Sequence, residues 1–231
     1  MPDTQLLTVL SLGLLLGARH ALDVDHVAAV TTILSERPDF RLSGLIGVSW
    51  GFGHTVMLLL VGVAVLVFKI AIPERVASGL ELLVGLMLVG LGASLALTLW
   101  RGRWHLHAHE HEGATHQHLH SHRLDTGHAH THWLRVTLKP FAVGMVHGLA
   151  GSAGLALMVL ASVRSVWQGV AYLLVFGVGS ILGMAGLGAL ISLPLVGSAS
   201  LGRPAQLTLQ GLASVGSIGL GLSMMARVGL G

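Results

Sequence analysis

The chain has no cysteine, a single tyrosine among 231 residues, and few charges, with Asp, Glu, Lys and Arg making up 10% of it. Soluble domains carry about 25% charged residues, so an ordinary water-facing fold is excluded. Without cysteine there can be no disulfide, no thiolate metal site and no cysteine nucleophile, and any metal must be held by nitrogen and oxygen. The 13 Lys and Arg stand against 10 Asp and Glu and are scattered through short connections. No basic stripe exists to grip phosphates, and no nucleic-acid partner is expected. Also missing are the G-x-x-x-x-G-K-[ST] phosphate loop, the alternating pattern of a transmembrane barrel, and the basic start and small-residue cleavage site of a secretory leader. Residues 1–17 therefore read as a retained helix.

What remains is apolar: 53% of the residues are hydrophobic and the mean hydropathy is +0.78. A helix needs about 20 apolar residues to cross a bilayer. Six such runs stand out, near 5–34, 43–72, 77–100, 136–163, 168–195 and 206–228. Charge and proline separate them at Glu36-Arg37-Pro38-Asp39, Pro73-Glu74-Arg75, Arg164 and Arg203-Pro204. The expectation is an all-α polytopic membrane protein, one transmembrane domain over 1–231, with the lipid bilayer as its first partner.

The break at 101–135 differs from the others, because it holds 11 of the 15 histidines, among them His105, His107, His109, His111, His116, His118, His120 and His122. It reads as a low-complexity polar loop without a packed structure. Its imidazoles suit weak binding of late divalent metals, which makes it a candidate contact for a cytosolic metal donor or acceptor. Lys69, Arg75, Arg164 and Arg227 fall on the side of the N-terminus, whereas Arg37, Arg41, Arg101, Arg103, Arg123, Arg135, Lys139 and Arg203 fall on the other. The positive-inside rule then makes the histidine loop cytoplasmic and puts both termini outside, in a cell (inner) membrane.

The two halves repeat. Gly17-Ala18-Arg19-His20-Ala21-Leu22 matches Gly144-Met145-Val146-His147-Gly148-Leu149, Gly51-Phe52-Gly53-His54 matches Gly177-Val178-Gly179-Ser180, and Gly90-Leu91-Gly92 matches Gly219-Leu220-Gly221, at offsets of 127, 126 and 129. Three crossings per half is an odd number, so halves 1–100 and 136–231 are expected to be inverted repeats, with a site near the midplane where they meet.

The chemistry concentrates in Arg19-His20-Ala21-Leu22-Asp23-Val24-Asp25-His26, inside the first apolar run. An ionised group at the centre of a helix in lipid costs about 2.5–3.5 kcal/mol on the insertion scale, so this cluster must face a cavity or compensate internally. On a continuous helix His20, Asp23 and His26 share one face. Two imidazoles and a carboxylate suit Ni(II), Co(II) or Zn(II). Asp25 lies off that face and would support the ligands from behind, unless the helix is distorted there. His54, beside Gly51 and Gly53, is a candidate ligand on the next helix, where small residues allow close approach. His147, at the repeat position of His20, and Ser180, at that of His54, are candidates to line the path. Glu81 reads as an interfacial residue near the start of the third crossing. No catalytic residue and no cofactor is expected, divalent metal being the cargo. Two alternatives start from the same residues: an intramembrane metal-dependent hydrolase in which His20 and His26 hold zinc and Asp25 activates water, and a permease for another substrate.

The segment His20-Ala21-Leu22-Asp23-Val24-Asp25-His26 resembles the H-x4-D-H signature of the nickel/cobalt transporter (NiCoT) family and its nickel/cobalt efflux and urease-associated relatives. Gly51-Phe52-Gly53-His54-Thr55 is similar to the family's second motif, a Gly-His pair in the following helix. The resemblance implies a short, six-helix member that moves Ni(II) or Co(II) and needs His20, Asp25, His26 and His54. A histidine-rich loop between the halves is similar to that of the efflux branch.

A polar, low-complexity tract can concentrate metal but cannot form a dehydrated path through lipid. Deleting residues 105–132 is therefore expected to leave saturable metal flux in place while changing its apparent affinity. Flux assays on the deletion variant check this, and complete loss from a correctly folded variant would contradict it.

Overall fold

The computed structural model describes residues 2–36, 38–70, 72–101, 109–111, 114–116, 133–162, 165–198 and 200–230. Seven helices account for nearly all of them: α1 (Pro2–His20), α2 (Val24–Glu36), α3 (Phe40–Phe68), α4 (Glu74–Arg101), α5 (Trp133–Ser162), α6 (Val166–Gly197) and α7 (Arg203–Leu230). The stretches Phe40–Phe68, Glu74–Arg101, Val166–Gly197 and Arg203–Gly229 are each long and apolar enough to cross a membrane. Within the histidine-rich stretch, where only irregular chain is expected, His109–His111 (β1) pairs antiparallel with Ala114–His116 (β2), with His109 opposite His116. The other residues of that loop lie outside the described residues.

The helix ends follow the local chemistry. Asp39 caps α3, its Oδ1 accepting from the amides of Arg41 at 2.8 Å and Leu42 at 3.3 Å. Lys69 closes the same helix in the left-handed region, at φ 51°. Ser165 caps α6 by accepting from the Gln168 amide.

One expectation is corrected. The first apolar run is not one helix over 5–34: it breaks at 21–23 into α1 and α2. The last bonds of α1 tighten to a three-residue spacing, Leu22 N–H to Arg19 O at 2.9 Å and Asp23 N–H to His20 O at 3.1 Å, and α2 begins with Val27 N–H to Asp23 O. The charges agree with this break: Arg19 and His20 fall in the last turn of α1 and Asp25 in the first turn of α2. Cations near a helix C-terminus and anions near an N-terminus are each stabilised by about 0.3–1 kcal/mol.

Glycines set how closely the helices approach. α3 and α5 run parallel, and a Cβ on Gly144 would collide with the Trp50 carbonyl, one on Gly53 with the Phe141 carbonyl and one on Gly148 with the His54 carbonyl. α1 runs parallel to α6 with similar closeness, Gly17 against the Phe176 carbonyl and Gly179 against that of Leu14. α6 crosses α3 antiparallel, where Gly51 meets Ile181 and Gly177 meets Thr55, whose hydroxyl donates to the Gly177 carbonyl at 3.2 Å. α4 and α7 are likewise antiparallel, with Gly92 against Ser214 and Gly221 against Gly85, and the Ser214 hydroxyl donates to Gly92 O at 2.8 Å. Trp50, Leu58, Leu88, Phe176 and Met184 fill the interior, while Phe52, Leu60, Phe68, Leu182 and Leu190 point outward. An apolar outer surface is the surface that lipid requires. At the end of the bundle where α2 finishes and α5 begins, Lys139 donates to both carboxylate oxygens of Glu36 at 2.7 Å.

Gly144→Ala forces α5 away from α3 and should destabilise the protein by about 1–3 kcal/mol, the range for overpacking. Gly90→Ala, where a Cβ meets nothing within 4 Å, should not destabilise it and should gain up to about 1 kcal/mol from the better helix propensity of alanine. Thermal unfolding in detergent of the two variants compares them, and an unaltered transition for Gly144→Ala would contradict the close approach.

Candidate metal centre

Four histidines lie outside the histidine-rich loop, and the fold brings all four to one place. His20 ends α1, His26 sits in the first turn of α2, and His54 and His147 occupy the middles of α3 and α5. His26 and His147 are 2% exposed and His54 is fully buried. The His20 and His54 Nε2 atoms are 3.2 Å apart. Ring centroids of His26 lie 4.6 Å from His20, 5.2 Å from His54 and 4.8 Å from His147.

The break between α1 and α2 decides what the two aspartates do. Asp23, in the break, accepts from His20 Nδ1 at 2.9 Å and is more than half exposed. That bond fixes the ring and turns Nε2 toward His54. Asp25 is drawn inward, its Oδ2 3.2 Å from His147 Nε2, an ion-pair distance without hydrogen-bond alignment. The face shared by His20, Asp23 and His26 on a continuous helix is therefore not the arrangement that forms. Ligand-capable atoms gather instead as two groups, His20 with His26 and His54, and Asp25 with His26 and His147, each group within 4.8 Å.

Several nitrogens in this cluster have no hydrogen-bond partner: Nδ1 of His26, His54 and His147 are all buried without one. Buried polar atoms are ordinarily paired, and imidazole nitrogens left without a hydrogen-bond partner are free to ligate a late divalent cation. Ser180 lies in α6, buried, with its hydroxyl also unpartnered.

A cavity of about 420 Å³ reaches the cluster. His20, Asp23, Asp25, His26 and His147 line it, together with the exposed Glu81 of α4 and Arg227 of α7. Glu81, read from sequence as interfacial, thus shares a cavity with the cluster. His54 is fully buried and is not among the lining residues.

Aromatic rings wall the cluster off, and sequence reasoning passed over them. Trp50 packs edge-on against His26 at 5.3 Å and His147 at 5.5 Å, and Phe176 lies 5.5 Å from His20. The available signal was spacing, since Trp50 precedes His54 by four residues and Phe176 precedes Ser180 by four, one helical turn on the same face.

Residues 6–200 match the NicO family model, described as high-affinity nickel-transport protein. The chain is 36% identical over 200 residues to the urease accessory protein UreH of Bacillus sp. (strain TB-90), which covers 86% of this chain and 82% of that protein. No solved structure matches. A transport family is not an enzyme family, so the hydrolase alternative falls away. The chain belongs to the NicO family of high-affinity nickel-transport proteins and is an integral membrane transporter of nickel or cobalt, its metal being cargo.

Proposed function

We propose that the ion crosses through the histidine cluster, with His20, His26 and His54 offering nitrogen, Asp25 offering oxygen, and Asp23 holding the His20 ring in register. The observation that carries this reading is the convergence of every histidine outside the loop in one cluster, with open nitrogens and a cavity leading to it. The point lies near the bilayer midplane: fourteen residues of the 29-residue α3 precede His54 and fourteen follow it. His147 and Ser180 line the same path.

We read the chain as six crossings in two inverted three-helix halves, 1–100 and 136–231, joined by the loop 101–135, with α1 and α2 together forming one interrupted crossing. Contacts that exchange between the halves support this. Gly17 against Phe176 becomes Gly144 against Trp50, and Gly179 against Leu14 becomes Gly53 against Phe141. The His20–Phe176 ring contact becomes His147–Trp50, both at 5.5 Å. Gly92 against Ser214 likewise becomes Gly221 against Gly85. Each exchange follows the offsets of the sequence repeat.

In this arrangement the ion reaches Asp25 and His26 through the cavity beside Glu81 and Arg227, while the Lys139–Glu36 pair holds the opposite end together. Rocking of the halves would open that end and close the cavity, the alternating exposure used by inverted-repeat transporters. By the distribution of Lys and Arg, the cavity faces outward, the loop and the Lys139 end are cytoplasmic, and both termini are outside. The loop's imidazoles would then exchange metal with a cytosolic donor or acceptor. The sequence carries no phosphate loop, so the energy would come from an ion gradient, from the metal gradient itself or from a separate subunit.

Reconstitution into sealed vesicles tests this reading. His26→Ala and His54→Ala should each lower saturable Ni(II) or Co(II) flux at least about tenfold, because a lost nitrogen leaves too few ligands to replace the hydration shell. Flux equal to wild type from either correctly inserted variant would remove the cluster from the path.

A further inference from the structure

The donor atoms do not surround a single point. They form two pairs, His20 Nε2 with His54 Nε2 and Asp25 Oδ2 with His147 Nε2, and each pair is separated by 3.2 Å. Two ligands on one ion at metal–nitrogen distances near 2.0–2.1 Å lie about 3–3.4 Å apart, so each pair already has the edge length of a coordination polyhedron. His26 is the one residue common to the two groups. A neutral imidazole has one nitrogen carrying a lone pair and one carrying a proton, so His26 can complete one pair at a time.

We propose that the transporter has two ion stations in series that share His26: a cavity-facing station of Asp25, His26 and His147, and an inner station of His20, His26 and His54. This rests on the reading of the cluster as the ion path. The order follows from access. All three residues of the first station line the cavity, and Asp25 is partly exposed; of the second, His20 and His26 also line it, but His54 is fully buried and outside the lining, so only the first station lies wholly on the cavity wall. The chemistry of the two stations differs in the same order. A carboxylate in the first helps offset the cost of stripping water from a divalent cation, but oxygen ligands also suit Mg(II), Ca(II) and Mn(II). The second station offers three imidazoles and no carboxylate. Nitrogen ligation favours Ni(II) and Co(II) over Mn(II) in the order of intrinsic affinities. Capture would occur at the first station and discrimination at the second. His26 carries the ion between them by changing which pair it completes.

The test measures Co(II) bound by the full-length protein in detergent, with His26→Ala as the baseline, since the histidine loop contributes equally to every variant. His54→Ala and His147→Ala should each keep about one Co(II) above that baseline, because one station survives in each, and the double variant should fall to it. Excess Mn(II) should displace the retained ion at least about tenfold more readily from His54→Ala than from His147→Ala. His54→Asn and His147→Asn, which preserve size and polarity, replace any alanine variant that does not elute as a single species. If either single variant falls to the baseline, the stations are one site and the proposal is overturned. Retention above baseline by the double variant overturns it too, as does equal displacement by Mn(II). Vesicle flux separates this from the underlying reading: normal flux from His26→Ala removes the cluster from the path, whereas a dead His26→Ala with either single variant at baseline removes only the second station.

Discussion

A helix cannot be interrupted in hydrocarbon unless the freed backbone groups face protein or a cavity, and the proposed six-crossing arrangement is organised around one such interruption. At residues 21–23 the chain stops being helical and restarts. The break separates two helix ends whose partial charges oppose one another, negative at the end of α1 and positive at the start of α2. Arg19 and His20 lie at the first end and Asp25 at the second. The re-aimed second helix brings Asp25 and His26 toward His147, which an unbroken helix would not do. The cavity that reaches the break supplies the polar surroundings the interruption requires.

Convergence of four imidazoles also needs backbones closer together than ordinary side chains allow. Glycines on α3, α5, α1 and α6 meet that need, and Gly17, Gly53, Gly144, Gly148 and Gly179 each face a carbonyl of the neighbouring helix where a methyl group would not fit. Close packing of small residues is how helices associate strongly in a solvent that gives no hydrophobic drive. Trp50 and Phe176 then seal the cluster laterally. The result is a small polar interior within an apolar shell, reached by a cavity.

Much of this was legible in the sequence because the bilayer imposes simple rules. Runs near 43–72, 77–100, 168–195 and 206–228 correspond to α3, α4, α6 and α7, since length and apolarity alone mark a crossing. The residues of interest were legible for the same reason: His20, Asp23, Asp25, His26 and His54 are conspicuous in an apolar setting. What periodicity concealed was the break. A wheel drawn at 100° per residue assumes the continuous helix that 21–23 denies, and it set Asp25 aside in favour of Asp23. Basic residues followed closely by acidic ones, as in a C-terminus meeting an N-terminus, would have signalled it. Trp50 was invisible for another reason, because an aromatic residue in an apolar run carries no contrast. Glu81 was read by its depth along α4, which says nothing about the cavity it lines.

The short helix α2 has a mechanical consequence. It is a 13-residue rod with His26 in its first turn and Glu36, tied to Lys139 of α5, at its far end. Ten residues of helix separate the two side chains, about 15 Å. A rod pivoting at the 21–23 break moves both at once, and the lever arm is far longer on the Glu36 side. A swing large enough to part Glu36 from Lys139 therefore shifts His26 by only a fraction of that distance. Yet ligand bonds tolerate far less displacement than a gate does, so the latch at one end and the ion's coordination are geared together.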